Sequence, residues 1–402
     1  MTKYIFNIYK DAFSGLSTSV WLLCFIMFIN RAGAMVLPFM TLYLTTSLHF
    51  SLTDAGWIMG AYGLGSIAGA YIGGQLTDRI GYYHIQFYSL IFGASLLILL
   101  VFLTGFLSIL LTVFFFSLIS DTLRPANSVA IAAYAKPENR TRSFSLMRFA
   151  INLGFSIGPA MGGIVAGSLG FKWIFVIDAL TCLFAAYLLH RYLPYKPISS
   201  NIKSDSYARN EQSAYSDKKY LIFIFLVCIY AVCFFQLFTS IPVFWGKEWG
   251  FSETKIGLLL ALNGLIIVVF EMPFIRHLEH IQRYMVMVSI GSALLITGFI
   301  CLIAGWIHMI PALLFIVFMT VSEMFAMPFM TNYAVSKPSE NRRGQYMALY
   351  SMAYGFAHIL APLGGLYIAD VYGFRTLYLM LMLLSILVTI GFFSIRRSSI
   401  IA

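Results

Sequence analysis

Charge is scarce in this chain. Asp, Glu, Lys and Arg make up 10% of its 402 residues, against about 25% in a soluble domain. That little charge cannot cover a water-facing surface, so a soluble globule is excluded. Cysteine is sparse too: five residues, at 24, 182, 228, 233 and 301. They are odd in number, fall inside apolar runs and lack metal-ligand spacing, so they read as packing residues. Neither a disulfide framework nor a metal centre is expected. No G-x-x-x-x-G-K-[ST] phosphate loop occurs, so no ATP site is expected. There is no nucleophile–base motif and no soluble domain, which argues against an enzyme. No cofactor is implied. The first apolar run follows Lys3 and Lys10 and is long enough to span a bilayer, so it does not read as a cleavable leader.

What fills the chain is apolar: 60% of residues are hydrophobic and 17% aromatic. A membrane span needs about 20 such residues. Twelve runs qualify, at 19–44, 54–76, 85–105, 107–134, 145–168, 173–192, 220–245, 255–275, 284–305, 310–334, 345–368 and 375–395. We number them spans 1 to 12. Between spans 6 and 7 lies a polar stretch, 193–219, rich in Ser, Lys and Asp, which reads as a linker. The expected organisation is a six-helix bundle over 1–192, a cytoplasmic linker over 193–219 and a second six-helix bundle over 220–402. The fold class is all-α and membrane-embedded.

The net charge of +10 does not require a nucleic-acid partner. Of the 26 Lys and Arg residues, nineteen fall on the side that holds both termini and the linker. Only Lys172, Lys247, Lys255 and Arg375 fall on the other. By the positive-inside rule both termini are cytoplasmic.

The halves echo each other at an offset near 201 residues. "AKPENR" at 135–140 returns as "SKPSENR" at 336–342, and "GPAMGG" at 158–163 returns as "APLGG" at 361–365. Asp78 matches Glu279. A repeat in the same orientation means two parallel halves related by an axis along the membrane normal.

Twelve spans, a six-plus-six repeat and a polar centre resemble the major facilitator superfamily. "GGQLTDRIGYYH" is similar to its motif between spans 2 and 3, matching at Gly74, Asp78, Arg79 and Gly81; Tyr82, Tyr83 and His84 replace the basic end. In the family this loop latches cytoplasmic helix ends. "GFSIGPAMGG" matches the span-5 antiporter motif at Gly154, Gly158, Pro159, Gly162 and Gly163. Small residues four apart let helix backbones touch, and the partner expected for this seam is span 8. "VSEMFAMP" in span 10 resembles a G-E-x-x-x-x-P segment of the twelve-span drug:H⁺ antiporters, with Ser322 in place of Gly. The span-4 motif R-x-x-Q-G is kept only at its Arg, here "RPANS".

Ionisable residues inside spans usually mark a pathway, since each costs about 2.5–3.5 kcal/mol at mid-membrane on insertion scales. Glu323 is the first candidate proton carrier. It lies near mid-depth among Met and Phe, and loss of hydration there favours a neutral carboxyl. Asp121 is the second; it shares a helix face with Arg124, three residues on. Asn30 and Arg31 in span 1, Gln236 and Phe235 in span 7, and Tyr354 and His358 in span 11 are candidate cavity residues. Trp57, Tyr62, Phe234 and Phe238 are further aromatic candidates. Arg148 and Glu271 read as gate residues at helix ends. Asp178, in span 6, reads as structural.

The resemblance implies a proton-coupled multidrug-type exporter. Two bundles rock to expose one midplane site to each side in turn, and the cargo is small and largely apolar. Arg31 and Arg124 suit carboxylates and leave a second reading: a transporter for an anionic or zwitterionic metabolite such as a sugar, siderophore or amino-acid derivative. The partners expected are the substrate, protons and lipid. A monomer in the bacterial inner membrane is expected.

Overall fold

The computed structural model describes residues 15–136, 140–195, 214–278, 284–304, 309–336 and 343–400. Everything regular among them is helical. Lipid offers no partners to backbone N–H and C=O groups, and a helix satisfies them within its own segment. Eleven stretches are long and apolar enough to cross a membrane, from Thr18–Thr46 to Phe374–Ile395. Span 2 is the glycine-rich helix Leu52–Ile80, 29 residues long. With it, the described residues supply a helix for each of the twelve expected spans.

Three spans are broken, and each break has a proline just beyond it. Span 1 consists of Thr18–Gly33 and Val36–Thr46. Pro38 lacks the N–H that would bond the Ala34 carbonyl. Span 4 consists of Phe106–Asp121 and Leu123–Tyr134, with Pro125 four residues beyond Asp121. Span 7 runs Lys218–Phe235, then a tight turn Gln236–Phe238, then Ser240–Lys247, with Pro242 four residues beyond Phe238. The breaks of spans 1 and 7 are related by the same offset as the sequence repeat. Pro159, Pro328 and Pro362 lie inside unbroken helices.

Contacts group the chain into two compact units. The first holds Met1–Val36 and Gly65–Asn201; the second holds Leu37–Leu64 and Ile202–Ala402. In the first, span 3 (Tyr82–Leu100) packs on span 6 (Phe171–Tyr192), and span 1 packs on span 5 (Arg140–Leu169). In the second, span 9 (Tyr284–Ala304) packs on span 10 (Met309–Ser336) and span 12 (Phe374–Ile400), and span 7 packs on span 11 (Arg343–Tyr372). Residues 52–64 of span 2 belong to this second unit, where the Thr53 hydroxyl donates to Asp370 at 2.6 Å.

The surface is inverted relative to a soluble protein. Phe25, Phe92, Leu107, Leu183, Phe225 and Leu383 are all exposed. Apolar surface on this scale marks a lipid-facing protein. Gly81 starts span 3 with φ +93°, a conformation that disfavours any side chain.

Candidate functional site

In the first unit the polar groups gather at the break of span 1. A Cβ at Gly33 would lie 2.5 Å from the Thr181 Cβ, so span 6 packs closely against this end of the first helix of span 1. Asp178 is 5% exposed. Its carboxylate accepts from the backbone N–H groups of Met35 and Val36 and takes the Cys182 thiol at 3.8 Å. A negative charge at a helix start is favourable. Arg31 acts on this carboxylate electrostatically and lies 5.6 Å from the Phe155 ring. Asn30 donates to the Cys182 sulfur at 3.3 Å. The residue the sequence placed as structural therefore sits beside the candidate cavity arginine.

Asp121 and Arg124 form the ion pair that their spacing predicts. Nε of Arg124 lies 2.8 Å from Asp121 Oδ1, with the arginine side chain 57% exposed and the aspartate 6%. Beside them Gln86 of span 3 donates to Asn127 at 2.7 Å, and Asn127 donates to the Met27 sulfur at 2.9 Å. Neither Gln86 nor Asn127 was singled out in the sequence. Their signal was there: amides inside apolar runs.

The span-5 glycines touch span 1. A Cβ at Gly154 would lie 2.6 Å from the Arg31 Cβ and 2.9 Å from the Ala32 nitrogen. One at Gly158 would lie 3.2 Å from the Ala34 carbonyl. The seam expected against span 8 is corrected at these two positions. Periodicity marks a close contact but carries no information about which helix makes it. Pro159 lies within the helix, and Gly162 and Gly163 are buried.

Of the other signature residues, Arg79 lies at the end of its helix, whereas Gly74, Arg148 and Glu271 lie six to eight residues in from the nearer end of theirs, not at the ends expected for Arg148 and Glu271. Gly74 has open space around it, Arg79 and Arg148 are exposed, and Glu271 is buried. The Asp78 side chain and the whole of Glu279 lie outside the described residues. So do most of the recurring 135–140 and 336–342 loop motifs, and linker residues 196–213.

In the second unit Glu323 stands at the midpoint of span 10. Asn263 of span 8 reaches it: Nδ2 lies 2.9 Å from Thr320 Oγ1 and 3.4 Å from Glu323 Oε2. Asn263 is 6% exposed, so this amide is committed to span 10. On the neighbouring turn Ser322 donates to the Gly291 carbonyl at 2.6 Å and pairs with the Tyr230 hydroxyl at 2.9 Å. Glu323 is half-buried and close enough to Tyr230 and Tyr354 to act on both.

Three of the other candidates also meet here. His358 stacks on Phe235 with centroids 3.8 Å apart, and Tyr354 meets Phe235 edge-on at 6.2 Å. Gln236 is fully buried and serves the break of span 7. It donates to the Ala361 carbonyl at 3.0 Å and accepts from Ser240 at 2.6 Å. Of the further aromatic candidates, Trp57 is exposed and Phe234 is buried. All five cysteines are free thiols.

The arrangement offers a carboxylate with an amide partner, an aromatic wall and, in the other unit, an arginine with its own carboxylate. No reacting constellation for bond-making chemistry is among these groups.

Comparisons with known proteins show the family. An uncharacterized MFS-type transporter of Bacillus subtilis, YttB, is 28% identical over 89% of this chain and 90% of its own length. Multidrug resistance protein 2 of the same organism is 23% identical over 59% of this chain and 60% of its own. A crystal structure of a POT family transporter in complex with 5-aminolevulinic acid superposes with a TM-score of 0.77, covering 94% of this chain and 96% of that one at 16% identity; the likeness concerns the fold. The family model for the Major Facilitator Superfamily matches residues 20–362. The chain is a multi-pass membrane transporter, not an enzyme, and it belongs to the major facilitator superfamily.

Proposed function

We propose that this transporter is an antiporter that expels small, largely apolar molecules in exchange for protons, by alternating access. The observation that carries the proposal is Glu323, at the midpoint of span 10, half-buried, with an Asn263 amide at 3.4 Å. A carboxyl there can hold a proton, or give it up and attract a cation. Binding of proton and cargo at one carboxyl couples the two flows, because each biases which state is populated. The span-5 antiporter motif and the relative named as a multidrug resistance protein support the outward direction. Asp121, paired with Arg124, is the second proton site of the proposal.

The remaining parts of the reading are also proposals. The moving bodies are 1–192 and 220–402, joined by a cytoplasmic linker over 193–219. The protein works as a monomer in the bacterial inner membrane with both termini inside.

The test uses the full chain in proteoliposomes with ethidium as probe. Ethidium addition should release protons from the wild type and not from Glu323→Gln. Equal proton release from both removes Glu323 from the mechanism.

A second reading rests on Arg31, which faces the Phe155 ring beside Asp178. An arginine in this place suits an anionic or zwitterionic cargo. In a thermal-melting screen, stabilisation by carboxylate metabolites that Arg31→Gln abolishes would support it. Stabilisation by lipophilic cations alone would sink it.

A further inference from the structure

Span 1 passes from one compact unit to the other. Its first helix, Thr18–Gly33, belongs to the first unit, and the boundary falls between Val36 and Leu37. From Leu37 on, its second helix, Val36–Thr46, belongs to the second. Span 2 crosses the boundary at 64–65, but inside the unbroken helix Leu52–Ile80. Span 1 crosses it beside a break. Ala34 has φ −71° and ψ 70°, outside the helical range, and Pro38 lacks the N–H that would close the ladder over it. Of the two crossings, this is the one where the helical ladder is already open, and such element-terminal residues absorb the backbone change of a hinge.

Residues 31–36 are held from two sides, all within the first unit. Span 5 holds them by close packing: Cβ atoms at Gly154 and Gly158 would lie 2.9 Å from the Ala32 nitrogen and 3.2 Å from the Ala34 carbonyl. No proton alters that contact. Span 6 holds them by a carboxylate. Asp178 accepts from the N–H groups of Val36 and Met35 and from the Cys182 thiol at 3.8 Å; the Met35 N–H is shared with the Gly33 carbonyl at 2.7 Å. This hold depends on charge. Ionised, the carboxyl only accepts, which suits these donors, a helix start and the Arg31 cation. A proton on it adds an O–H that needs its own acceptor and ends the attraction to Arg31. Other titratable groups stand off. On span 1, Cys24 and Tyr43 lie about two turns or more from residues 35–36. Tyr82, Tyr83, His84 and Tyr88 lie in the first two turns of span 3, and Arg140, Arg142 and Arg148 in the first three of span 5. On span 6 itself, Lys172 is exposed, six residues before Asp178.

We propose that Asp178 is a proton-operated clasp on the break of span 1. Ionised, it holds residues 35–36 to span 6; on taking up a proton, it lets the second helix of span 1 swing about the break. The clasp rests on the alternating-access reading and is independent of Glu323 as proton carrier. One O–H bond forms on the carboxylate and breaks again, with the proton taken from water and returned to it. Asp178 is thereby a positioning residue: it acts on the cargo path through the backbone of span 1.

The test is double electron–electron resonance on the full chain in lipid nanodiscs, across a pH titration. Spin labels are attached through a keto amino acid at the exposed Ser47 and Leu169, which leaves the native thiols in place. Ser47 follows the second helix of span 1, and Leu169 ends span 5, which packs on the first. In the wild type the distance distribution should change with pH about one midpoint. Asp178→Asn should lose that change and keep the acid-side distribution throughout. Glu323→Gln should retain it. Where Asp178→Asn does not fold, Cys182→Ala decides: the ionised carboxyl loses a donor, so the midpoint should move to higher pH. No change with pH in the wild type, the same change in Asp178→Asn, its loss in Glu323→Gln or an unmoved midpoint in Cys182→Ala each overturns the clasp. In every one of these cases, ethidium-driven proton release by the wild type leaves the antiport reading standing.

Discussion

Asn263 and Asp178 hold the two candidate sites together, and each does so with a side chain buried in an apolar span. Asn263 donates to Thr320 and Glu323. Asn263→Ala should therefore lower stability by about 1–3 kcal/mol through the unsatisfied buried partners, read as a fall in melting temperature. It should also weaken ethidium-driven proton release. Asp178 carries more: two backbone N–H groups and the Cys182 thiol bond it, and Arg31 acts on it electrostatically. A buried polar partner left unsatisfied costs about 1–3 kcal/mol, and Asp178→Ala strands more of them, so it should destabilise more than Asn263→Ala; the reverse order contradicts this placement. The sequence marked Glu323, Asp121 and Arg124 because a charge in an apolar run is conspicuous. Asn263 and Asn127 were less conspicuous because an uncharged amide costs less to insert. Asp178 was visible, but its partner was not: Arg31 is 147 positions away, and only the packing of span 6 on span 1 brings them together.

At the scale of helices, the breaks and the close contacts decide what the residues can do. The twelve spans were legible, because runs of about 20 apolar residues have few other fates. The breaks were written in Pro38, Pro125 and Pro242, but equal prolines at 159, 328 and 362 leave their helices whole. Local sequence alone does not tell the two apart; neighbours decide whether a freed carbonyl is satisfied in place. The span-5 glycines announce a contact without naming the helix that makes it. At Gly154 that contact is with the backbone and Cβ of residues 31–32. Gly154→Leu should cost about 1–3 kcal/mol by overpacking and displace Arg31, so that transport falls with the melting temperature. Gly74 has nothing within 4 Å. Gly74→Ala should change stability by no more than about 0.5–1 kcal/mol, toward greater stability, since Ala favours a helix. Equal damage from both substitutions would contradict the close-contact account.

For the whole molecule, composition excluded a soluble protein, and the repeat organised the rest. Breaks in spans 1 and 7 at equivalent positions agree with that repeat. The grouping of residues 37–64 with the second unit could not be read from the sequence, because it depends on which helices lie side by side. Charge distribution predicts topology: nineteen Lys and Arg on one side, four on the other. Single cysteines placed at Tyr195 and at Lys247, in a chain with its own five replaced, should differ in labelling by an impermeant thiol reagent on intact cells. Lys247→Cys should react and Tyr195→Cys should not; the opposite pattern would reverse the orientation. The central claim is that cargo and proton share one carboxyl at the middle of span 10. Its most direct test is proton release on ethidium addition to the full chain in proteoliposomes, wild type against Glu323→Gln, with ethidium binding measured alongside. The account predicts release in the wild type and none in the variant, with ethidium bound more weakly by the variant. Release that is undiminished in Glu323→Gln would contradict it.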